Sequence, residues 1–176
     1  MRAIVAFGSR YGSTKATAEA IAETLSSKGV MADVIDLREG SRSVDGYDLA
    51  IIGSSIIAGS WSKASKRFLS DNAASLAGIR LAMFACCSQC YLRPEEREQQ
   101  EKDFILDVAG SYGLTPEATG LFGGEIDFSK YNFIVRAVLK KVGVDKEFES
   151  AGADISRPYD FRDWDGIRGW ASELVR

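Results

Sequence analysis

Residues 7–14 read FGSRYGST, closing the apolar run AIVAF (3–7) and opening onto ATAEAIAETL (16–25). An apolar run of that length reads as a buried strand, and the alanine-rich run after it reads as a helix. The turn between them is tight and carries glycine and hydroxyl residues. Its backbone N–H groups end up unpaired at a helix N-terminus, where the helix dipole favours an anion. The dinucleotide fingerprint needs G-x-G-x-x-G, whereas only Gly8 and Gly12 are present here. The P-loop needs a lysine before its hydroxyl residue, and Lys15 follows Ser13 and Thr14. What remains is a hydroxyl-lined nest. Ser9, Tyr11, Ser13 and Thr14 offer O–H donors, and residues 10–14 offer backbone N–H groups to a phosphate monoester. The plainer reading is a strand-to-helix turn with Ser13 or Thr14 as helix cap.

The same alternation continues along the chain. Strands are expected at 2–8, 31–37, 48–56 and 79–87, with a fifth within 115–126. Helices are expected at 14–29 (ending at Gly29), 62–76, 94–113 (with Pro94 in its first turn) and 163–175. Strands alternating with helices imply an α/β fold: a doubly wound, five-stranded parallel sheet with helices on both faces. The order 2-1-3-4-5 suits five strands and brings the loops after strands one, three and four together at their carboxyl ends. Those loops are GSRYGST, GSSIIAGSW and CCSQCYLR.

The chain has 176 residues, 45% of them hydrophobic, which fits one domain spanning 1–176. A net charge of −3 argues against a nucleic-acid partner. No apolar run is long enough to span a bilayer, and the N-terminal run is too short for a signal peptide, so a cytoplasmic protein is expected. The sequence contains no histidine, which removes Ser-His-Asp and Cys-His catalysis and the commonest zinc ligand. Any demanding chemistry then falls to a bound group, with no side chain assigned a catalytic role.

Cys86, Cys87 and Cys90 lie within five residues, which argues for reduced thiols over a disulfide framework. Cys87 and Arg93 satisfy the C-x5-R pattern of cysteine phosphatases, but the loop between them has no glycine, and Pro94 stands where a hydroxyl residue would support the thiolate. A metal site is disfavoured as well, because adjacent residues of a strand face opposite ways and no fourth ligand is evident. Cys86 is expected in the core, with Cys87 and Cys90 at the rim of the loop cluster.

Ser9-Arg10-Tyr11-Gly12-Ser13-Thr14 resembles the flavodoxin phosphate loop, [TS]-x-[TSY]-G-x-T, with a strand before it and a helix after it. The resemblance extends over the whole chain and implies FMN. Its phosphate would occupy the nest. Its ring would lie between the second loop (Ser54, Ser55, Ile56, Ile57, Ala58, Gly59 and Trp61) and the third (Cys87, Ser88, Gln89, Cys90 and Tyr91). Trp61 and Tyr91 are then the expected stacking aromatics.

A plain flavodoxin would join the fifth strand to the last helix in a few residues, yet residues 127–161 intervene here. Within this insertion KYNFIVRAVLKKVG (130–143) is amphipathic, with Lys130, Arg136, Lys140 and Lys141 and no acid. Its basic face reads as a solvated surface, as a dock for an acidic partner, or as a peripheral membrane contact through 130–146. This insertion, the I-x-x-G pattern at Ile56–Gly59 and the R-P-E-x-R run at Arg93–Arg97 resemble the quinone-dependent protoporphyrinogen oxidase branch of the flavodoxin superfamily. That branch implies an oxidoreductase passing electrons from a reduced donor to a quinone or protein acceptor. The alternative is a non-catalytic electron carrier. Mild net charge and a basic helix count against it, since plain flavodoxins are strongly acidic.

Overall fold

The sheet grows outward from β1 (Arg2–Gly8), which pairs in parallel with β2 (Met31–Asp36) on one side and β3 (Leu49–Ile57) on the other. The computed structural model describes residues 1–10, 12–40, 42–88, 92–127, 129, 133, 137, 141, 144–150, 152 and 158–176. Beyond β3 come β5 (Arg80–Cys86) and β6 (Ala118–Phe122), also parallel, giving the order β2-β1-β3-β5-β6. This is the expected doubly wound order. The intervening β4 (Ser60–Trp61) is a two-residue antiparallel return on β3.

Alternation along the strands sorts the core into two layers. Ala3, Val5 and Phe7 of β1, Leu49 and Ile51 of β3, and Ala82, Phe84 and Cys86 of β5 share one layer. It is closed by α1 (Ser13–Ser27) and α5 (Trp164–Glu173) through Ile21, Leu25, Ile167 and Ala171. Ile4, Ala6, Ala50, Ile52, Leu81, Met83 and Cys87 face the other way. That layer is covered by α2 (Lys63–Leu76) and by α3, in which α-helical Arg97–Glu101, a π turn Lys102–Leu106 and α-helical Asp107–Gly110 follow a 3-10 turn at Pro94–Glu96. Cys86 and Cys87 therefore sit in opposite layers, both buried.

Register creates one feature that no local pattern announces. Phe7 pairs with Gly53, Gly53 with Phe84, and Phe84 with Gly120, so one row across four strands reads Phe-Gly-Phe-Gly. A Cβ on Gly53 would lie 2.0 Å from Cζ of Phe84. The phenylalanine ring occupies the space that glycine leaves empty. It then meets Trp170 edge-on with ring centroids 6.4 Å apart, and Phe122 at 6.0 Å.

The excursion between β6 and α5 leaves and returns at one place. β7 (Glu125–Ile126) pairs antiparallel with β8 (Tyr159–Asp160), forming a separate two-stranded sheet. Within the excursion α4 (Val144–Ser150) buries Phe148 against Phe161, with ring centroids 5.3 Å apart. The basic amphipathic stretch of 130–143 lies almost wholly outside the described residues, including Lys130, Arg136 and Lys140. Of the residues described there, Phe133 is 80% exposed and Lys141 is exposed, as is Lys146 in α4 just beyond it.

Candidate functional site

At the end of β1, Ser9 is buried and its hydroxyl oxygen accepts the Gly12 N–H at 3.0 Å. Gly12 has φ 97°, a left-handed conformation that an L side chain rarely adopts, and space is open where a Cβ would stand. It occupies the cap position of α1 with no side-chain cap. Ser13 and Thr14, the alternative caps read from the sequence, instead lie inside the first turn. Thr14 is 0% exposed and its hydroxyl has no hydrogen-bond partner. Buried hydroxyls are normally paired, and leaving one unpaired costs about 1–3 kcal/mol. Arg10 is exposed, and Tyr11 lies outside the described residues.

The loop after β3 is a hairpin. Ile57 pairs with Ser60 across Ala58 and Gly59, whose φ values of 48° and 72° place both central residues in the left-handed region, as the twist-matched two-residue turn requires. Ala58 and Gly59 are exposed at the tip and Ile56 and Ile57 are half-buried. Ser54 is taken up structurally: its hydroxyl donates to the Ser55 carbonyl at 3.0 Å and accepts the Ser62 N–H at 2.8 Å. Ser55 is 9% exposed, and its hydroxyl has no partner. Trp61 is placed differently from an open stacking ring. It is 3% exposed in the core layer under the hairpin, and its indole N–H donates to the Phe104 carbonyl in the π turn of α3. It buttresses the hairpin from below.

In the third loop Cys87 is buried, and its N–H donates to the Phe122 carbonyl at 2.9 Å. A thiol enclosed in the core is poorly placed to attack a phosphate ester, which removes the basis of the C-x5-R reading. Burial pushes the Cys86 thiol up to about 11, partly opposed by the Thr17 and Thr14 hydroxyls. Thr17 takes the thiol's hydrogen bond at 3.6 Å, while the Thr14 hydroxyl acts on the sulfur without a bond of normal geometry. Ser88 is half-buried. Gln89, Cys90 and Tyr91 lie outside the described residues.

The three loops converge as the strand order requires. Cys86 pairs in register with Ser55 and lies under the influence of Thr14, so both unpartnered hydroxyls gather around the end of β5. From β6 the chain adds Gly124, where a Cβ would stand 3.5 Å from Ser88 Oγ and 3.9 Å from Ser13 Oγ. Two contributors escaped the sequence reading: the Gly123–Gly124 turn, and Arg162, whose guanidinium donates to the Ser13 carbonyl at 3.1 Å. Neither carries a local motif. A separate cavity of 340 Å³ lies along the outer edge of β6, lined by Arg97, Glu101, Thr119, Phe122, Phe161 and Trp170 among others. Among the described residues, no helix is long and apolar enough to cross a membrane.

The residues present fit a phosphate-bearing group at the first loop: a glycine cap with open space, helix N–H groups and an unpaired hydroxyl in the first turn. The sequence model of the flavodoxin domain matches residues 4–150. Protoporphyrinogen IX dehydrogenase (quinone) of Escherichia coli strain K12 is 22% identical over 176 residues, covering 99% of this chain and 95% of that protein. The protein of the same name from Leishmania major is 21% identical, covering 99% of this chain and 74% of its own length. Among solved structures, a flavodoxin from the domain Archaea aligns over 87% of this chain and all of its own, with a TM-score of 0.52 and 23% identity, a likeness of fold.

Proposed function

The chain belongs to the flavodoxin-domain family, and from that premise we propose that it is an FMN-dependent oxidoreductase delivering electrons to a quinone or protein acceptor. The observation that carries the FMN reading is the unpartnered, fully buried Thr14 hydroxyl in the first turn of α1, beside a glycine-capped helix N-terminus. Residues 9–14 would hold the phosphate through backbone N–H groups and the hydroxyls of Ser9, Tyr11, Ser13 and Thr14, with Arg10 beside them. The ring end would lie between the hairpin of Ser54, Ser55, Ile56, Ile57, Ala58 and Gly59, supported by Trp61, and the loop of Cys87, Ser88, Gln89, Cys90 and Tyr91.

When bound, FMN supplies two-electron exchange with the donor and one- or two-electron exchange with the acceptor. The protein's own part is orientation and tuning. The hairpin tip presents backbone groups of Ala58 and Gly59, and the unpaired Ser55 hydroxyl offers a further hydrogen bond. The buried Cys86 thiol, with its raised pKa, stays neutral at ordinary pH and adds no charge to the floor of the site.

Similarity over 99% of this chain to proteins named for protoporphyrinogen IX and quinone supports a tetrapyrrole donor and a quinone acceptor for this chain too. Exposed Phe133, Lys141 and Lys146 support contact of 130–146 with an anionic membrane surface, where lipid-soluble quinones are found.

The test is reconstitution. The apo-protein titrated with FMN should develop a bound-flavin spectrum, and the loaded protein should oxidise protoporphyrinogen IX with reduction of a soluble quinone. Flavin binding without turnover of that pair would favour a non-catalytic electron carrier. Absence of flavin binding would end the proposal.

A further inference from the structure

Arg162 follows β8, at the point where the excursion rejoins the domain, and its side chain is only 7% exposed. Each of the three guanidinium nitrogens donates to a protein oxygen. Nε and Nη2 hold the Asp160 carboxylate in a fork at 2.7 and 2.8 Å, Nη2 also reaches Glu125 at 3.3 Å, and Nη1 donates to the Ser13 carbonyl at 3.1 Å. The guanidinium carbon lies 4.5 Å from the centre of the Trp164 ring. One side chain thus joins β7, β8, the start of α5 and the first turn of α1.

The site chosen for this cation is unusual by itself. A positive charge beside a helix N-terminus opposes the helix dipole, and burying it adds a desolvation cost. Glu125 and Asp160 account for its burial. They also create the opposite difficulty, because β7 starts beside the anion-binding loop: a Cβ on its neighbour Gly124 would stand 3.5 Å from Ser88 Oγ and 3.9 Å from Ser13 Oγ. Two carboxylates without Arg162 would stand beside a site meant for a phosphate.

We propose that Arg162 is a positioning residue of the phosphate site, which anchors the first turn of α1 to the β7–β8 pair and offsets part of the negative charge of the two carboxylates that pair brings close. The inference rests on reading residues 9–14 as that site. It assigns the excursion a task at the cofactor: its closing strands, through Arg162, set how well a phosphate dianion is tolerated. Arg162 touches the Ser13 backbone and not the reacting atoms, so its effect is on selection between phosphorylated and unphosphorylated flavin.

Apo-protein is titrated with FMN and with riboflavin, and the ratio of the two affinities is the readout. Arg162→Gln removes one positive charge from beside the carboxylates and should reduce FMN affinity about tenfold while changing riboflavin affinity little, as expected for one unit charge near a partly screened dianion. Adding Glu125→Gln and Asp160→Asn to Arg162→Gln should restore most of the preference. Should Arg162→Gln fail to fold, Glu125→Gln alone serves: it should raise the preference for FMN, and an unchanged ratio overturns the proposal. Equal weakening of both flavins by Arg162→Gln, or no recovery in the triple variant, also overturns it and leaves Arg162 a structural tie. A wild-type protein without preference for FMN over riboflavin overturns the phosphate-site reading itself. Preference intact in both wild type and Arg162→Gln refutes the Arg162 assignment alone.

Discussion

Replacing Thr14 with valine should change stability and cofactor affinity in opposite directions. The Thr14 side chain is completely buried and its hydroxyl lacks a partner, so the protein without ligand carries the desolvation cost of that group. Valine has nearly the same shape and no hydroxyl. The gain in the apo-protein should be about 1–2 kcal/mol, since the unpaired group costs about 1–3 kcal/mol and helix propensity differs little between the two residues. If the hydroxyl donates to a charged phosphate oxygen in the loaded protein, removing it costs about 1.5–3 kcal/mol of binding, about a 10- to 150-fold loss of FMN affinity. Urea unfolding of the apo-protein measures the first effect. Quenching of flavin fluorescence measures the second, with riboflavin as the control that should not respond. A Thr14→Val protein that is less stable without ligand, or that binds FMN unchanged, refutes the reasoning.

Gly53→Ala should destabilise the fold by about 1–3 kcal/mol or more, because the new methyl would enter the Phe84 ring, whereas alanine in an open strand position would be tolerated; chemical denaturation checks it. Trp61→Ala should cost about 3–5 kcal/mol of stability by emptying the core under the hairpin. A flavin potential shift without loss of stability would instead make Trp61 a direct ring neighbour. In alkali, the folded Cys86 thiol ionises near 11, above the roughly 8.5 expected of an unfolded cysteine. Its contribution to stability is therefore complete below about pH 8.5 and lost as pH rises toward 11, and Cys86→Ala should flatten that alkaline limb in unfolding curves. In acid, hydrogen bonds from Arg162 outweigh the burial that would raise the Asp160 pKa and hold this carboxyl below its usual range. That part of stability is present above about pH 4 and lost as pH falls further, and it should be missing from the acid limb of Arg162→Gln.

Local signals were enough to read the order of the five main-sheet strands and of the helices that cover them, and the position of the first loop. Apolar runs of five to nine residues, a glycine after α1 and Pro94 ahead of α3 each act within a few residues of themselves. Parallel strands joined by helices leave few possible orders, so the β2-β1-β3-β5-β6 sheet and the meeting of three loops followed. The Ser9–Thr14 loop was legible for the same reason: its hydroxyls, glycine and helix start are contiguous.

Other features depend on residues far apart in sequence, and only the tertiary structure decided them. Trp61 reads in isolation as an aromatic in a ligand loop; a two-residue turn at Ala58 and Gly59 folds it back onto β3 and into the core, where Phe104 takes its N–H. The Phe7-Gly53-Phe84-Gly120 row exists only once the strand registers are set, since each of its members comes from a different strand. Arg162 looks like an ordinary charge before the last helix, and its partners at Ser13 and Glu125 lie 149 and 37 residues away. Sequence patterns record the periodicity of a segment and the caps at its ends, which are short-range properties of the backbone. Which side chain fills a neighbour's missing volume, or which charge compensates another, depends on packing between segments, and the chain acquires that only when it folds.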